Sequence, residues 1–384
     1  MPPLRVLFVT TSMPVGGAET LLVNLVRRLD RDRFAPEVAC LKDPGPLGVE
    51  LAREIPVHSR LLAGKYDARV LPRLARLVRR PRAAAVVTVG AGDKMFWGRL
   101  AGALAGSPAV CSALHSTGWP DAVGRLNRWL TPLTDAFIAV AEGQARFLVD
   151  AYRLPAAKIE VIPNGVDVER FAAAPSAAAR DALGLDRSAP VVGIVAALRP
   201  EKNHALFLRG ARRIADRFPA ARFVVVGDGP QRRPLADLAT ELGLAGNTLF
   251  LGSRDDIPAL LPAMDILALT SWNEASPVSL LEGLAAERAV VAADVGSVRE
   301  TIVPGRTGLL FPAGDLSAYV DACLRLLGDS GLRQRLAAAG RALVVERGSL
   351  DAMVRGYERL LEKLAARRPR HAAAPSRAAV AAQR

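Results

Sequence analysis

Two glutamates with seven residues between them carry the richest chemistry in this sequence. Glu274 and Glu282 lie in Thr270-Ser271-Trp272-Asn273-Glu274-Ala275-Ser276-Pro277-Val278-Ser279-Leu280-Leu281-Glu282, directly after the apolar run 266–269. Proline favours the first turn of a helix, so Pro277 predicts that Glu274 precedes a helix and Glu282 lies along it. Carboxylates accept hydrogen bonds from sugar hydroxyls. One can hold a hexose at the helix start while the other holds a ribose on its inner face. Amides exposed at the helix start can also receive a phosphate. Two surface glutamates stabilising a helix dipole would read the same way.

Other segments at the ends of apolar runs offer complementary groups. Ala196-Ala197-Leu198-Arg199-Pro200-Glu201-Lys202-Asn203 brings Arg199 and Lys202 into a loop. Such cations suit a diphosphate whose charge grows as it leaves, and a solvated basic loop is the plainer alternative. Gly16-Gly17 precedes a helix and permits close backbone approach to a phosphate, or simply a tight turn. Val226-Gly227-Asp228-Gly229-Pro230 offers the same at Gly229, and Arg254 can frame a base through its backbone or be an ordinary exposed arginine. Cys111-Ser112-Ala113-Leu114-His115 sets His115 just past another run, as a structural or a functional histidine.

The elements that must position these residues alternate between strand and helix. Short β-rich runs at 6–9, 86–89, 109–112 and 137–140 are separated by amphipathic stretches such as 18–29 and 94–104. A second series follows at 191–195, 223–226, 248–251, 266–269 and 289–292. This alternation predicts parallel sheets built from βαβ units. With 384 residues, two domains are expected. Their boundary falls near 180, giving 1–180 and 181–364, with the last helix (350–364) free to pack back on the first domain. Residues 365–384, rich in Ala, Pro and Arg, read as a disordered tail. In open α/β sheets ligands bind beyond the carboxyl ends of the strands, so the active site belongs in the cleft between two such sheets.

Composition narrows the classes. Three cysteines, Cys40, Cys111 and Cys323, have no paired spacing, which argues against a secreted disulfide framework. Histidines at 58, 115, 204 and 371 lack metal-ligand spacing, so no metal and no cofactor is expected. No apolar run reaches the roughly 20 residues of a membrane span and no signal peptide is visible, so a cytoplasmic protein is expected. The net charge of +13 fits nucleic acid, an anionic membrane or a phosphorylated substrate. Aromatics at 5% supply no stacking platform for nucleic acid, so no nucleic-acid partner is expected.

Taken together, these segments resemble family 4 of the retaining glycosyltransferases with the GT-B fold. The matching pieces are P-V-G-G-A-E at 14–19, His115, V-I-P-N-G-V-D at 161–167, R-P-E-K-N at 199–203, V-G-D-G-P at 226–230, and the pair Glu274 and Glu282. They occur in the family's order along nearly the whole chain. The resemblance implies two Rossmann-like domains with parallel sheets facing across a cleft, and a nucleotide-sugar donor. It implies that Lys202 binds the donor diphosphate, Glu274 contacts the transferred sugar and Glu282 the ribose. The amides around Ser276, Pro277 and Val278 would cap sugar and phosphates. Gly17 would touch the diphosphate, and His115 would approach the sugar near the reacting carbon. The chain departs from the family where Ala196-Ala197 stands for a frequent Gly-Arg, leaving Arg199 as the substitute cation, and where Ala275 stands for a frequent Gly.

The expected reaction is retaining transfer of a hexose, UDP-sugar favoured over GDP-mannose, to a glycan, lipid-linked or small-molecule acceptor. A sugar-nucleotide 2-epimerase shares the architecture but needs acid and base groups around the sugar, which the two glutamates fit less well. A last feature concerns membranes. In residues 69–80, Val70, Leu71, Leu74, Leu77 and Val78 share one helical face, and Arg69, Arg73, Arg76 and Arg80 recur beside them. Such a helix can lie on an anionic surface at the inner face of the membrane, or be an ordinary domain helix with its apolar stripe in the core.

Overall fold

The structure is a computed structural model that describes residues 2–64, 67–80, 82–115, 128–171 and 176–366. The tail expected from 365 onward falls almost wholly outside these residues. Apolar, β-branched runs form two fully parallel sheets. The first contains β1 (Leu4–Thr10), β2 (Phe34–Cys40), β3 (Val57–His58), β4 (Ala85–Val89), β5 (Ala109–Leu114), β6 (Ala136–Ala139) and β7 (Ile159–Val161), in the order β3-β2-β1-β4-β5-β6-β7. The second contains β8 (Val191–Val195), β9 (Arg222–Val226), β10 (Thr248–Gly252), β11 (Ile266–Leu269), β12 (Ala289–Ala293) and β13 (Leu309–Phe311), in the order β10-β9-β8-β11-β12-β13. Parallel strands covered by helices on both faces must be apolar throughout, and β4, β5, β11 and β12 are buried at every position.

Each strand order reverses once, between β1 and β4 in the first sheet and between β8 and β11 in the second. At such a point the connections leave in opposite directions and open a crevice at the strands' carboxyl ends. Strands that the apolar runs do not announce are the ones weak in that signal. β2 carries Pro36 and Glu37, and β3, β7 and β13 have only two or three residues. The linker-like stretch before β8 contains a helix, Ser176–Ala182, already seated on the second sheet's side, with Arg180 Nη2 2.8 Å from Asp265 Oδ2.

The final helix, Leu350–Ala365, returns to the first unit. Its Leu350, Met353, Val354, Tyr357, Leu360, Leu361 and Leu364 share one core with Phe8 and Val87. Fully burying one such side chain stabilises by about 1.5–3 kcal/mol, so this return ties the end of the chain to the first unit. The two crossings run side by side, with the Val166 N–H donating to Gly348 O at 2.9 Å and the Leu350 N–H to Val166 O at 2.9 Å.

The helix Val70–Arg79 corrects the membrane expectation. Val70, Leu74 and Val78 are completely buried against Leu7, Val9 and Val86, so the apolar stripe is the core face and is not available to lipid. Two of its arginines are tied to protein: Arg73 donates to Leu61 O and Asp67, and Arg79 donates to Leu104 O. No helix among the described residues is long and apolar enough to cross a membrane.

Candidate active site

The loops after β8 and β11 meet at the second crevice. Pro200 opens a short 3-10 turn and Asn203, at φ +50°, adopts the left-handed conformation that asparagine tolerates before the helix His204–Arg217. The partner loop stitches onto it. Thr270 Oγ1 donates to Lys202 O and Asn203 O, both at 3.1 Å, and the Trp272 N–H donates to Glu201 O at 2.9 Å. The result brings Lys202 Nζ to 2.6 Å from Glu274 Oε1, which also accepts from Ser271 Oγ at 2.6 Å. Glu274 is buried and Lys202 is half-buried, so each carries the other's desolvation.

The helix after this loop runs Val278–Ala285 with Pro277 as its N-cap, and no side chain caps its first amides. Pro277 itself has no N–H, so the donors at this end are Ser276, Val278 and Ser279. Asn164, in the V-I-P-N-G-V-D segment, fixes the turn by donating from Nδ2 to Ser276 O at 3.0 Å. Gly296 makes the turn possible. At φ +52°, any Cβ there would lie 1.8 Å from Glu274 O. Position 275 needs no glycine: Ala275 is not among the residues with positive φ, and it is buried. Glu282 lies one turn into the helix, and burial pushes its carboxyl up to about 7, with Arg170 opposing that weakly.

The first unit faces this constellation. A Cβ on Gly17, the first residue of the helix Gly17–Arg28, would sit 3.5 Å from Val278 Cγ2. A cavity of about 220 Å³ is lined by Gly143, Gln144 and Phe147 from the first unit and Asn273, Gly296 and Ser297 from the second. Glu300 of the second unit accepts from the N–H groups of Glu142 and Gly143 at 2.8 and 2.6 Å. His115 follows β5. Its Nδ1 is buried without a partner among the described residues, and burial together with Lys94 holds the imidazole neutral, its pKa pushed down to about 4.

The remaining candidates have plainer surroundings. Gly229, at φ +154°, is required by the protein itself, since a Cβ there would lie 2.6 Å from Leu198 O. Arg254 grips Asp256 with its Nε and Nη2 at 2.8 and 2.5 Å. Arg199 is exposed and has no side-chain partner among the described residues, two positions beyond Ala197. Asn164, Ser271, Gly296 and Glu300 escape a sequence reading because their roles lie in contacts across the chain. For Asn164 alone a signal existed, in the motif that contains it.

Comparison with known proteins matches both halves. The model for Glycosyltransferase Family 4 matches residues 15–170, and that for Glycosyl transferases group 1 matches residues 176–343. The chain belongs to this family: it is a glycosyltransferase with the GT-B fold. It is 27% identical over 339 residues to the UDP-Gal:alpha-D-GlcNAc-diphosphoundecaprenol alpha-1,3-galactosyltransferase of Escherichia coli, covering 83% of this chain and 87% of that one. It is 35% identical over 218 residues to the D-inositol 3-phosphate glycosyltransferase of Stackebrandtia nassauensis, a match spanning 53% of this chain and about half (49%) of the relative. Among solved structures, Anabaena HepE in complex with UDP-glucose superposes with a TM-score of 0.85 at 23% identity, covering 94% of this chain and 99% of that one.

Proposed function

We propose that the protein transfers a hexose from a UDP-hexose, with retention at the anomeric carbon, to a hydroxyl of a phosphate-bearing acceptor such as a lipid-linked or glycan precursor. The observation that carries this reading is the Lys202–Glu274 pair, set at the second crevice beside an uncapped helix start and opposite Gly17. The relatives' names support the substrates, one acting with UDP-galactose on a diphosphate-linked lipid and the other on inositol 3-phosphate.

In this reading Lys202 Nζ moves from Glu274 to the donor diphosphate as charge grows on it. The amides of Ser276, Val278 and Ser279 take up the remaining charge. Glu274, released, accepts hydrogen bonds from the sugar, and Glu282 holds the ribose. Neutral His115 meets the sugar from the other side, and Gly17 and Arg199 border the diphosphate. The acceptor oxygen bonds to the anomeric carbon on the face from which the diphosphate departs. The carbon–oxygen bond to the β-phosphate breaks, and the acceptor's proton passes to the leaving phosphate oxygen. Glu274 is a positioning group here and not a nucleophile. Lys202 and the helix start supply the charge that a metal would otherwise supply, so activity is expected to survive EDTA; loss restored by Mg²⁺ would contradict this.

A thermal-shift screen with UDP-, GDP- and ADP-sugars tests the donor, because binding stabilises the folded state by mass action. Stabilisation by UDP-sugars above the others is expected, and an α-linked product from an α-linked donor completes the reading. A GDP preference or an inverted product overturns it.

A further inference from the structure

We propose that Lys94 anchors the acceptor's phosphate at the first crevice, where β1 and β4 part, separate from the donor diphosphate held at the second. The proposal rests on the phosphate-bearing acceptor of the preceding reading and assigns it a residue.

The first crevice is built from Gly90-Ala91-Gly92-Asp93-Lys94, which follows β4. Gly90 and Gly92 adopt φ of +87° and +88°, a conformation that favours glycine. The Gly90 N–H donates to Ala113 O at 2.8 Å, which sets this loop against the end of β5 and beside His115. A Cβ on Gly90 would lie 2.8 Å from Lys94 Cε and 2.9 Å from Nζ. The lysine therefore folds back over the strand end, close against Gly90.

Lys94 stands in the first turn of the helix Asp93–Leu104, where the helix dipole disfavours a cation. It is half-buried, yet no carboxylate lies within 4.0 Å of its Nζ among the described residues. Its neighbour Asp93 is engaged elsewhere, its Oδ1 accepting from Thr11 Oγ1 at 2.9 Å and from the Lys94 N–H at 2.8 Å. His115 beside it is neutral and brings no countercharge. A half-buried cation against a helix dipole, with no carboxylate partner among the described residues, breaks local rules in the way functional sites do. A phosphate supplies the missing countercharge through charge-assisted hydrogen bonds.

The test separates the two anion sites by filling one. With the protein saturated by UDP, α-D-glucose 1-phosphate and methyl α-D-glucoside are titrated by calorimetry. The wild type is expected to prefer the phosphate ester. Lys94→Met should remove that preference, roughly tenfold or more, while Lys94→Arg keeps most of it and both variants bind UDP as the wild type does. A wild type without the preference overturns the proposal. So does a Lys94→Met protein that keeps it, or a phosphate ester that displaces UDP. If UDP itself does not bind, the donor reading falls, and the same titrations on a Lys202→Ala background still decide the role of Lys94.

Discussion

The two crevices of this protein are built alike and charged differently. In each sheet the crevice lies where neighbouring strands send their connections apart, and in each a lysine follows a strand's carboxyl end. Lys202 has a buried carboxylate at 2.6 Å, whereas Lys94 has none within 4.0 Å among the described residues. A paired lysine is held in place before substrate arrives and can be exchanged from one anion to another. An unpaired one offers an open site for an anion that comes from outside. In the proposed reading the same topology serves two charged substrates, one at each lysine.

The largest effects are expected from breaking the paired crevice. Lys202→Ala should cost roughly 2–4 kcal/mol of transition-state stabilisation, as lost charge-stabilising donors do. Glu274→Ala should lower turnover by a similar order, because it removes the sugar contact and leaves Lys202 half-buried without its partner. The double variant should lose less than the sum, since the two side chains act as one unit. Steady-state kinetics of the three variants check this, and additive losses would show that the pair is incidental.

A smaller effect tests how closely the units approach. Gly17→Ala has room against Val278 and no unusual φ to satisfy, so thermal stability should hold or rise slightly. Donor turnover should fall, because the added methyl occupies the approach of the diphosphate. Unchanged turnover would remove Gly17 from the donor site.

Glu282 adds a pH dependence to the second crevice. Its carboxyl is raised from an ordinary 4.5 to about 7 by burial. A raised folded value means that its stabilisation is fully present below about 4.5 and is lost as pH rises through about 7. Chemical denaturation across this window should show that decline in the wild type and a weaker one in Glu282→Gln. A ribose diol donates to a carboxylate, so UDP affinity should rise more steeply from about pH 6 to 8 in the wild type than in Glu282→Gln. The same slope in both proteins would take the ribose contact away from Glu282.

These tests also mark how far the sequence could be read. The strands that position Lys202, Glu274 and His115 were legible because apolar β-branched runs are the signal of a doubly covered parallel sheet. The helix start at Pro277 was legible from its residue type. What stayed hidden depends on contacts between distant segments: the Lys202–Glu274 pair, the Asn164 bond to Ser276 and the close packing of Gly296 on Glu274. Gly229 invited a ligand reading because a glycine turn looks the same whether a nucleotide or the Leu198 carbonyl lies against it. The helix Val70–Arg79 shows the same ambiguity, since an apolar stripe does not say whether core or lipid will cover it.

The smallest effect is expected there. With its stripe in the core, the helix Val70–Arg79 can meet an anionic membrane only through its charges, about 1 kcal/mol for each arginine near the surface. Co-sedimentation with anionic liposomes should be weak, absent with neutral lipid and abolished by high salt. Arg76→Glu, at an exposed position in that helix, should reduce it further. Binding that is indifferent to salt would contradict a purely electrostatic contact.

The division of labour between the crevices is tested most directly by titrating UDP into three proteins: the wild type, Lys202→Ala and Lys94→Met. Lys202→Ala should weaken UDP by roughly tenfold or more, while Lys94→Met stays within about twofold of the wild type. Equal losses in the two variants, or a larger loss in Lys94→Met, would contradict the assignment of donor and acceptor to separate crevices.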